Sequence, residues 1–319
     1  MRYLRVVEER GRYVASLSEA PAPTPARGEV LIRVTASGVN RADLSQIAGR
    51  YPPPPGESEI LGLEVSGTLD ETGEPVCALL AGGGHAECVA APAGQVFPAP
   101  AGLDLVTAAG IPEAFLTAFV NLIVEAGLER EATVLVHAGA SGVGLAAIQI
   151  AKLSGARVAA TTRSADKLKA IEAAGGDLAI DTVHRDCVTE IERCWGRDAV
   201  DVVLDPVGAS TLAGDLRVLR TGGRIVILST MSGSEAALDL ALLMRKRARI
   251  VGSTLRARSR AEKAAIVSRF KSEMLPGFAS GALHVVADSV FPVARAAEAF
   301  QRMRENRNVG KILIAWRRD

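Results

Sequence analysis

The feature that most constrains the fold is a glycine-rich segment near the middle of the chain, residues 133–150. An apolar, β-branched run beginning at Thr133 leads into Gly139, Gly142 and Gly144, and a helical pattern of apolar residues follows. Glycines permit a tight turn and close backbone approach, and the first turn of the new helix has unpaired N–H groups that attract anions. This strand–turn–helix pattern is typical of the first βα turn of a Rossmann unit, which holds the diphosphate of a dinucleotide.

A flexible surface loop could also contain three glycines, but the residues that follow favour the first interpretation. Apolar strand-like runs alternate with helical patterns from Thr133 onward, as expected for a doubly wound parallel sheet. The predicted strands are Thr133–His137, Arg157–Thr162, Leu178–Asp181, Ala199–Asp205, Gly223–Leu228 and Arg249–Thr254. The sequence therefore predicts an α/β fold with a Rossmann domain.

The chain also predicts a second domain, because 319 residues exceed one typical domain. Short strands separated by Pro and Gly precede residue 110 and indicate a small β-barrel or sandwich, and a long helix is predicted over residues 113–126. The final apolar strand, Val309–Trp316, lacks a suitable crossover helix and is assigned back to the N-terminal domain. We expect a discontinuous catalytic domain (1–117 and 260–319) around a Rossmann domain (118–259).

The end of the second predicted strand indicates which dinucleotide binds. An NAD site usually has a carboxylate there, about 20 residues after the glycines, to bind the ribose 2′-hydroxyl. Here Thr162 is followed by Arg163, Ser164 and Lys167. These cations and the hydroxyl would form charge-assisted bonds with a 2′-phosphate, so the sequence favours NADPH. In the alternative interpretation, Ser164 is only a helix N-cap and the cations are solvated; Ser164 can serve both purposes.

Composition excludes several other classes of function. The net charge of +1 gives no general electrostatic basis for a nucleic-acid or membrane partner. No apolar run approaches the length of a transmembrane helix, and the N-terminus has no hydrophobic targeting core, so we expect a cytoplasmic protein. The four cysteines have no CxxC spacing, which indicates free thiols rather than disulfides or metal ligands.

Several longer motifs resemble one enzyme family. The motifs are Gly38–Asp43, the proline-rich Tyr51–Gly56, Ile60–Gly67, Ala109–Ala118, His137–Gly144, Leu204–Gly208 and Asn308–Ile312. Together they resemble the zeta-crystallin-type quinone oxidoreductases of the medium-chain dehydrogenase/reductase superfamily, over nearly the whole chain. The Tyr-Pro loop, the Ala81–Gly84 turn and Leu255-Arg256 are most similar to the stress-inducible branch of that family.

The resemblance implies a GroES-like β-barrel catalytic domain joined to the Rossmann domain, with the active site in the cleft between them. It also implies NADPH dependence, quinone reduction and a homodimer. Asn40 and Tyr51 would line the nicotinamide and substrate site as candidate catalytic residues. By the same resemblance and the glycine turn, the cofactor would contact Asn40, Thr117, Gly139, Ser141, Gly142, Val143, Gly144, Thr162, Arg163, Ser164, Lys167, Gly208, Leu255 and Arg256.

The chain departs from zinc-dependent relatives, which need a catalytic Cys at the position of Asn40, a His-Glu pair near Leu63-Glu64 and four clustered cysteines. Zinc requires three or four converging ligands, so we expect metal-free catalysis. His85 is a further departure. It could donate a proton to the reduced substrate, but a partly exposed histidine at a strand end is the more common situation.

Three hypotheses follow, and the first is an NADPH:quinone oxidoreductase. A reduced quinone oxygen is phenol-like, with a pKa of about 10, so hydrogen bonds from Asn40 and Tyr51 could suffice without zinc or a strong acid. The second is a reductase of activated C=C bonds in enones or enoyl thioesters. The third is a low-turnover NADPH-binding structural or RNA-binding protein, although the basic residues of 245–260 are more simply a solvated face. Tyr51 either contacts a planar substrate or packs against the proline-rich loop.

The predicted strand Arg249–Thr254 would be the last strand of the parallel sheet, and its open edge would pair with a second copy in a homodimer.

Overall fold

The computed structural model describes residues 1–316 and contains fifteen strands within them. The strands are β1 Arg2–Glu9, β2 Arg12–Glu19, β3 Glu29–Val39, β4 Glu64–Leu69, β5 Pro75–Leu79, β6 Cys88–Pro92, β7 Val96–Pro98, β8 Thr133–Val136, β9 Arg157–Thr162, β10 Leu178–Asp181, β11 Val200–Asp205, β12 Leu219–Ile227, β13 Arg249–Gly252, β14 Ala287–Pro292 and β15 Lys311–Ala315. The α-helices are α1 Arg41–Ile47, α2 Leu105–Ala108, α3 Pro112–Phe119, α4 Gly142–Leu153, α5 Leu168–Ala173, α6 Cys187–Trp195, α7 Leu212–Val218, α8 Leu240–Lys246, α9 Arg260–Glu273, α10 Leu275–Ala279 and α11 Ala296–Arg304.

These elements form two compact units. Unit 1 consists of Met1–Leu116 together with the chain from Leu255 onward, and unit 2 is Thr117–Thr254. None of the helices in the described part of the chain combines the length and the apolar character needed to span a bilayer.

Unit 2 is built on a six-stranded, entirely parallel sheet in the order β10-β9-β8-β11-β12-β13. Its central strands are covered on both faces, so they are apolar throughout, and Val134, Leu135 and Val136 have no exposed surface. The six predicted strands and the doubly wound fold are confirmed. The strand order changes direction between β8 and β11, which places the carboxyl ends of β9, β8 and β11 side by side.

Unit 1 is built on a seven-stranded sheet in the order β14-β15-β3-β4-β5-β7, with β6 also paired to β3. The eleven residues of β3 pair along one edge with β6 in the first half and with β15 in the second. In the second half, Ile312–Ala315 lie antiparallel to Ala36–Val39, so the predicted return of the last strand to the N-terminal unit is confirmed.

Two elements differ from expectation. The N-terminal hairpin β1–β2 was not predicted; it turns at Arg10 and Gly11, both with positive φ, and buries Leu4, Val6 and Tyr13. The helix predicted over 113–126 is α-helical only to Phe119 and continues as a π-helix over Val120–Glu125. Within it, the Asn121 side chain donates a 2.8 Å hydrogen bond to the carbonyl of Thr117. π-Helical turns are frequent at functional sites.

Candidate functional site

The turn between β8 and α4 has a geometry that only glycine permits at two positions. A Cβ on Gly144 would lie 2.6 Å from the carbonyl oxygen of Gly139, and one on Gly139 would lie 2.7 Å from the Cβ of Ala160. Both distances are shorter than real Cβ contacts, so a side chain at either position would force the turn open. Glycine at 139 and 144 therefore brings the start of α4 close to the carboxyl ends of β8 and β9.

The same turn presents unpaired donors. Ser141 caps α4 by accepting a 3.0 Å hydrogen bond from the N–H of Gly144. The N–H groups of Gly142 and Val143 make no hydrogen bond within residues 1–316. They begin a twelve-residue helix whose dipole adds partial positive charge at this end. Free amides at a helix N-terminus beside a glycine turn fit the diphosphate of a dinucleotide.

A cation follows the neighbouring strand. Arg163 is exposed and forms no ion pair within the described residues. Ser164 stands at the N-cap position of the short 3-10 turn Ala165–Lys167, but its hydroxyl donates a 2.5 Å hydrogen bond to Oδ1 of Asp166 and caps nothing. The expected capping role is therefore wrong: the hydroxyl is directed at the adjacent carboxylate, and no N–H of the first turn donates to its oxygen. Thr162, which ends β9, is buried.

The third strand end is a tight turn around Gly208. Both carboxylate oxygens of Asp205 accept hydrogen bonds from the N–H of Gly208, at 3.0 and 3.1 Å, and Oδ2 also accepts from the hydroxyl of Thr211. Gly208 has φ of 90°, in the left-handed region that favours glycine. The glycine turn, residues 162–167 and Gly208 therefore lie at the ends of three adjacent parallel strands, while Thr117 lies nearly buried at the start of unit 2.

A buried ion pair under the glycine turn was missed by the sequence reasoning. His137 directly follows β8, and its Nε2 lies 2.7 Å from Oδ1 of Asp215 on α7, while Nδ1 lies 3.0 Å from the hydroxyl of Thr161 on β9. Burial disfavours the imidazolium, but the charge of Asp215 and its hydrogen bond outweigh burial and raise the pKa of His137. The histidine at the turn was visible in the sequence, but its acidic partner lies 78 residues away.

Unit 1 contains a second buried polar cluster, formed by Asn40, Glu64 and Lys311. The ammonium of Lys311 donates to Oδ1 of Asn40 at 2.7 Å and to Oε1 of Glu64. The amide of Asn40 donates to the same Oε1 at 2.9 Å and to the carbonyl of Gly38 at 3.2 Å. Glu64 and Lys311 are almost wholly buried, at 0% and 4% exposure. Every polar atom of the Asn40 side chain is thus engaged within unit 1.

The resemblance implies that zinc-dependent relatives hold their catalytic metal at the positions of Asn40 and Leu63-Glu64, so the donor set of this cluster decides whether zinc fits here. Asn40 and Leu63 supply neither thiolate nor imidazole, and the oxygens of Asn40 and Glu64 both accept from the Lys311 ammonium. Zinc prefers three or four converging nitrogen, sulfur or carboxylate ligands. The residues at this position do not fit a zinc ion, and residues 1–316 contain no group of three or more His, Cys, Asp or Glu side chains arranged to hold a metal.

Tyr51 and Arg256 lie together at the proline-rich loop. The guanidinium of Arg256 donates to the carbonyls of Ala81 and Tyr51 at 2.7 and 3.0 Å, and to Oε1 of Gln46 at 2.7 Å. It also lies 5.2 Å from the centre of the Tyr51 ring, within cation–π range. Arg256 is 3% exposed, and Leu255 beside it is also buried, whereas Tyr51 is partly exposed. Arg256 therefore ties the Tyr51 loop to the rest of unit 1.

His85 is not the partly exposed strand-end residue that was expected. It has no exposed surface, its Nδ1 lies 2.8 Å from the hydroxyl of Ser37, and its ring is nearly perpendicular to that of Phe300, with 5.7 Å between centroids. Its Nε2 lies 3.7 Å from a carboxylate oxygen of Asp43. The residues that enclose His85 are distant in sequence, so no local pattern indicates its burial, and the side chain cannot reach a substrate from this position.

Comparisons with known proteins match both units. Residues 142–271 match the model described as zinc-binding dehydrogenase, and residues 26–82 match the alcohol dehydrogenase GroES-like domain. The quinone oxidoreductase of Lama guanicoe is 29% identical over 328 residues, covering 98% of this chain and 97% of the relative.

Among solved structures, the quinone oxidoreductase of Thermus thermophilus, whose complex with NADPH has also been solved, is 32% identical to this chain. The TM-score is 0.83, and the match covers 99% of this chain and 100% of that one. A protein described as an NAD-dependent alcohol dehydrogenase is also 32% identical, with a TM-score of 0.85 and 99% coverage of both chains. A 2-octenoyl-CoA carboxylase reductase in complex with NADP and 2-octenoyl-CoA is 26% identical, with a TM-score of 0.81, covering 94% of this chain and 82% of that one.

The parallel sheet with its glycine turn, the GroES-like match in unit 1 and these nearly full-length similarities agree with one another. The chain belongs to the quinone oxidoreductase family of the medium-chain dehydrogenase/reductase superfamily.

Proposed function

We propose that this protein is an NADPH-dependent oxidoreductase that reduces quinones without zinc. The observation that carries the proposal is the set of groups at the carboxyl ends of β9, β8 and β11. The free N–H groups of Gly142 and Val143 lie at the start of α4, after β8. The exposed Arg163 follows β9, at the position where an NAD site would have a carboxylate. The NADPH complex of the Thermus thermophilus relative supports the same cofactor.

In this proposal the glycine turn binds the diphosphate, and Arg163, Ser164 and Lys167 bind the 2′-phosphate. Asp166 accepts the Ser164 hydroxyl in the present arrangement, so Ser164 would exchange that acceptor for a phosphate oxygen. NADPH supplies the hydride, and the protein supplies orientation and a water-poor site. Gly208 and Thr117 complete the cofactor site within unit 2.

The quinone part of the proposal rests on chemistry as well as on relatives. Reduction of a saturated carbonyl produces a strongly basic alkoxide, which requires a Lewis acid or a strong proton donor. A reduced quinone oxygen is phenol-like, with a pKa of about 10, so modest hydrogen bonding suffices. In unit 1 the side-chain oxygens of Asn40 and Glu64 accept hydrogen bonds from the Lys311 ammonium, and Tyr51 remains partly exposed. Tyr51 would contact the substrate, while Asn40, whose polar atoms are all engaged, would position its surroundings.

The proposal is tested by anaerobic NADPH oxidation with a panel of benzoquinones, with NADH in parallel. We expect quinone-dependent turnover that favours NADPH. Tyr51→Phe should raise the KM for quinone, and Asn40→Ala should lower both turnover and stability. Full activity in both variants would remove these residues from the mechanism, and an absence of turnover with every quinone would refute the function.

A second candidate is reduction of activated C=C bonds, favoured by the similarity to a reductase that binds 2-octenoyl-CoA. It would use the same cofactor site. Turnover of an enal or an enoyl thioester at a kcat/KM well above that of any quinone would establish it. A low-turnover or RNA-binding protein would instead show RNA binding that survives high salt and no NADPH oxidation.

We also propose a homodimer formed through β13. Arg249–Gly252 pair only with β12 among the described residues, which leaves one edge of the parallel sheet open. An open edge can pair with a symmetric copy. Light scattering should give twice the chain mass of 33.3 kDa, and a monomer mass would contradict this arrangement.

A further inference from the structure

One acidic side chain near Tyr51 takes no part in the hydrogen bonds that join Asn40, Glu64 and Lys311. Glu113 is the second residue of α3, and its backbone N–H donates a 2.8 Å hydrogen bond to Oε2 of Glu64. This bond fixes the start of α3 against the Asn40–Glu64–Lys311 cluster. The carboxyl group of Glu113 is therefore held near a second, fully buried carboxylate.

The charges around Glu113 leave it without a dedicated partner. The charged and titratable groups that interact with it are Glu64 on β4, Asp43 on α1, Lys311 on β15, Arg256, Lys263 on α9 and Tyr51. Glu64 is paired with Lys311, and Asp43 accepts hydrogen bonds from the N–H groups of Asn40 and Gly62. The ammonium of Lys263 donates to the carbonyl of Arg256. A further negative charge at Glu113 would be unfavourable in such surroundings.

Solvent exposure distinguishes Glu113 from the charged groups around it. Asp43, Glu64, Lys311 and Arg256 are at most 4% exposed, so they offer almost no surface that a substrate could contact. Glu113 and Tyr51 are partly exposed. Among the carboxylic acids Asp43, Glu64 and Glu113, only Glu113 is not classed as buried.

The protonation equilibria agree with this geometry. Burial, followed by the negative charge of Glu64, raises the pKa of Glu113 to about 8. Burial and then the charge of Glu113 raise the pKa of Tyr51. At neutral pH Glu113 is therefore mostly a neutral carboxylic acid, which can donate a proton.

We propose that Glu113 supplies the proton that the substrate takes up on reduction. The inference rests on the proposed function. A quinone receives two electrons and one proton as a hydride from NADPH, and its remaining oxyanion takes the second proton from Glu113. The O–H bond of Glu113 breaks, the O–H bond of the hydroquinone forms, and solvent returns a proton to the carboxylate.

The test is the pH profile of single-turnover NADPH oxidation, measured by stopped flow at saturating benzoquinone from pH 5.5 to 9.5. In the wild-type protein the rate constant should fall as the pH rises through about 8, because the acid form is lost. Glu113→Gln should be slower at pH 7 by ~10²-fold and should lose that limb. Glu113→Asp should keep the limb at a reduced rate. Glu71→Gln, which changes an exposed acid of the same unit, is the matched control and should behave like the wild type.

A second measurement does not depend on activity. Because the folded protein holds the Glu113 proton between pH 4.5 and about 8 while the unfolded chain has lost it, the stability contributed by this group falls as the pH rises through that window. The free energy of unfolding of the wild type, relative to Glu113→Gln, should therefore decrease from pH 5 to pH 9. The Glu71→Gln variant should show no such trend.

The outcomes separate the two proposals. If the wild type turns over and Glu113→Gln keeps the rate and the same descending limb, Glu113 is not the donor. A stability difference that does not change with pH would show that Glu113 is an ordinary ionised carboxylate, which also overturns the inference. If the wild type reduces no quinone, the proposed function fails first and the donor role fails with it.

Discussion

The buried pair of Lys311 and Glu64 gives a quantitative test of how unit 1 is held together. Replacing Lys311 by Met keeps most of the side-chain volume but removes the ammonium. The carboxylate of Glu64, which has no exposed surface, would then retain only hydrogen bonds from Asn40 and from the N–H of Glu113. Removing one member of a buried ion pair typically costs about 3–5 kcal/mol. We therefore expect the free energy of unfolding to fall by this amount.

The two tryptophans allow each unit to be followed separately. Trp316 donates a 3.2 Å hydrogen bond to Ser37 in unit 1, and Trp195 packs under Arg157 in unit 2. In a Trp195→Phe background, urea unfolding followed by fluorescence therefore reports on unit 1 alone. Separate signals are needed because a chain with two compact units need not unfold in one step.

Two further variants control this experiment. Lys311→Met combined with Glu64→Gln removes both charges but keeps hydrogen-bond acceptors, so it should recover most of the lost stability. Arg295→Met breaks an exposed pair with Glu298, which solvent screens, so it should leave the free energy of unfolding almost unchanged. A loss below about 1 kcal/mol for Lys311→Met, or a double variant as unstable as the sum of its parts, would refute the reasoning.

Three other changes have defined outcomes. Gly144→Ala places a Cβ 2.6 Å from the Gly139 carbonyl oxygen, so calorimetry should show NADPH binding weakened by ~10-fold or more. The control Gly252→Ala adds a Cβ in open space and should bind NADPH as tightly as the wild type. Equal NADPH affinities of the two variants would contradict the turn geometry. The pKa values of His137 and Asp215 are both raised in the fold, so their contribution to stability is greatest in acid and is lost as the pH rises through the raised pKa of His137. The free energy of unfolding of the wild type, relative to the double variant His137→Gln/Asp215→Asn, should therefore fall from pH 6 to pH 9. A difference that stays constant with pH would be evidence against the buried ion pair. Arg256→Lys cannot reproduce three separate guanidinium hydrogen bonds, so thermal or urea unfolding should show unit 1 destabilised by at least about 1.5 kcal/mol. A variant as stable as the wild type would mean that these bonds do not hold the Tyr51 loop.

Local patterns predicted the parts of the fold that are governed by local chemistry. The strands of unit 2 are buried on both faces, so they appear as continuous apolar runs, and Gly139 and Gly144 mark the turn that only glycine permits. The return of the last strand to unit 1 followed because no suitable further crossover helix joins Val309–Trp316 to the parallel series of unit 2; α11 instead connects β14 to β15 within unit 1. The hairpin β1–β2 escaped prediction because charged residues alternate with its few buried side chains.

The polar clusters could not be predicted, because their members meet only in three dimensions. Lys311 and Asn40 are separated by 271 residues, and His137 and Asp215 by 78. The burial of His85 likewise depends on Ser37, Asp43 and Phe300, none of which is its neighbour in sequence. A motif identified Asn40, but it gave no indication that the Lys311 ammonium would bind the side-chain oxygens of both Asn40 and Glu64.

Calorimetric titration of NADPH and NADH into the wild-type protein and into Arg163→Ala tests the central claim most directly. One charge-assisted bond to the 2′-phosphate is worth about 1.5–3 kcal/mol, so the wild type should bind NADPH more tightly than NADH by at least ~10-fold. Arg163→Ala should lose most of this preference while binding NADH almost unchanged. Equal or tighter binding of NADH by the wild type would contradict the assignment of the cofactor site.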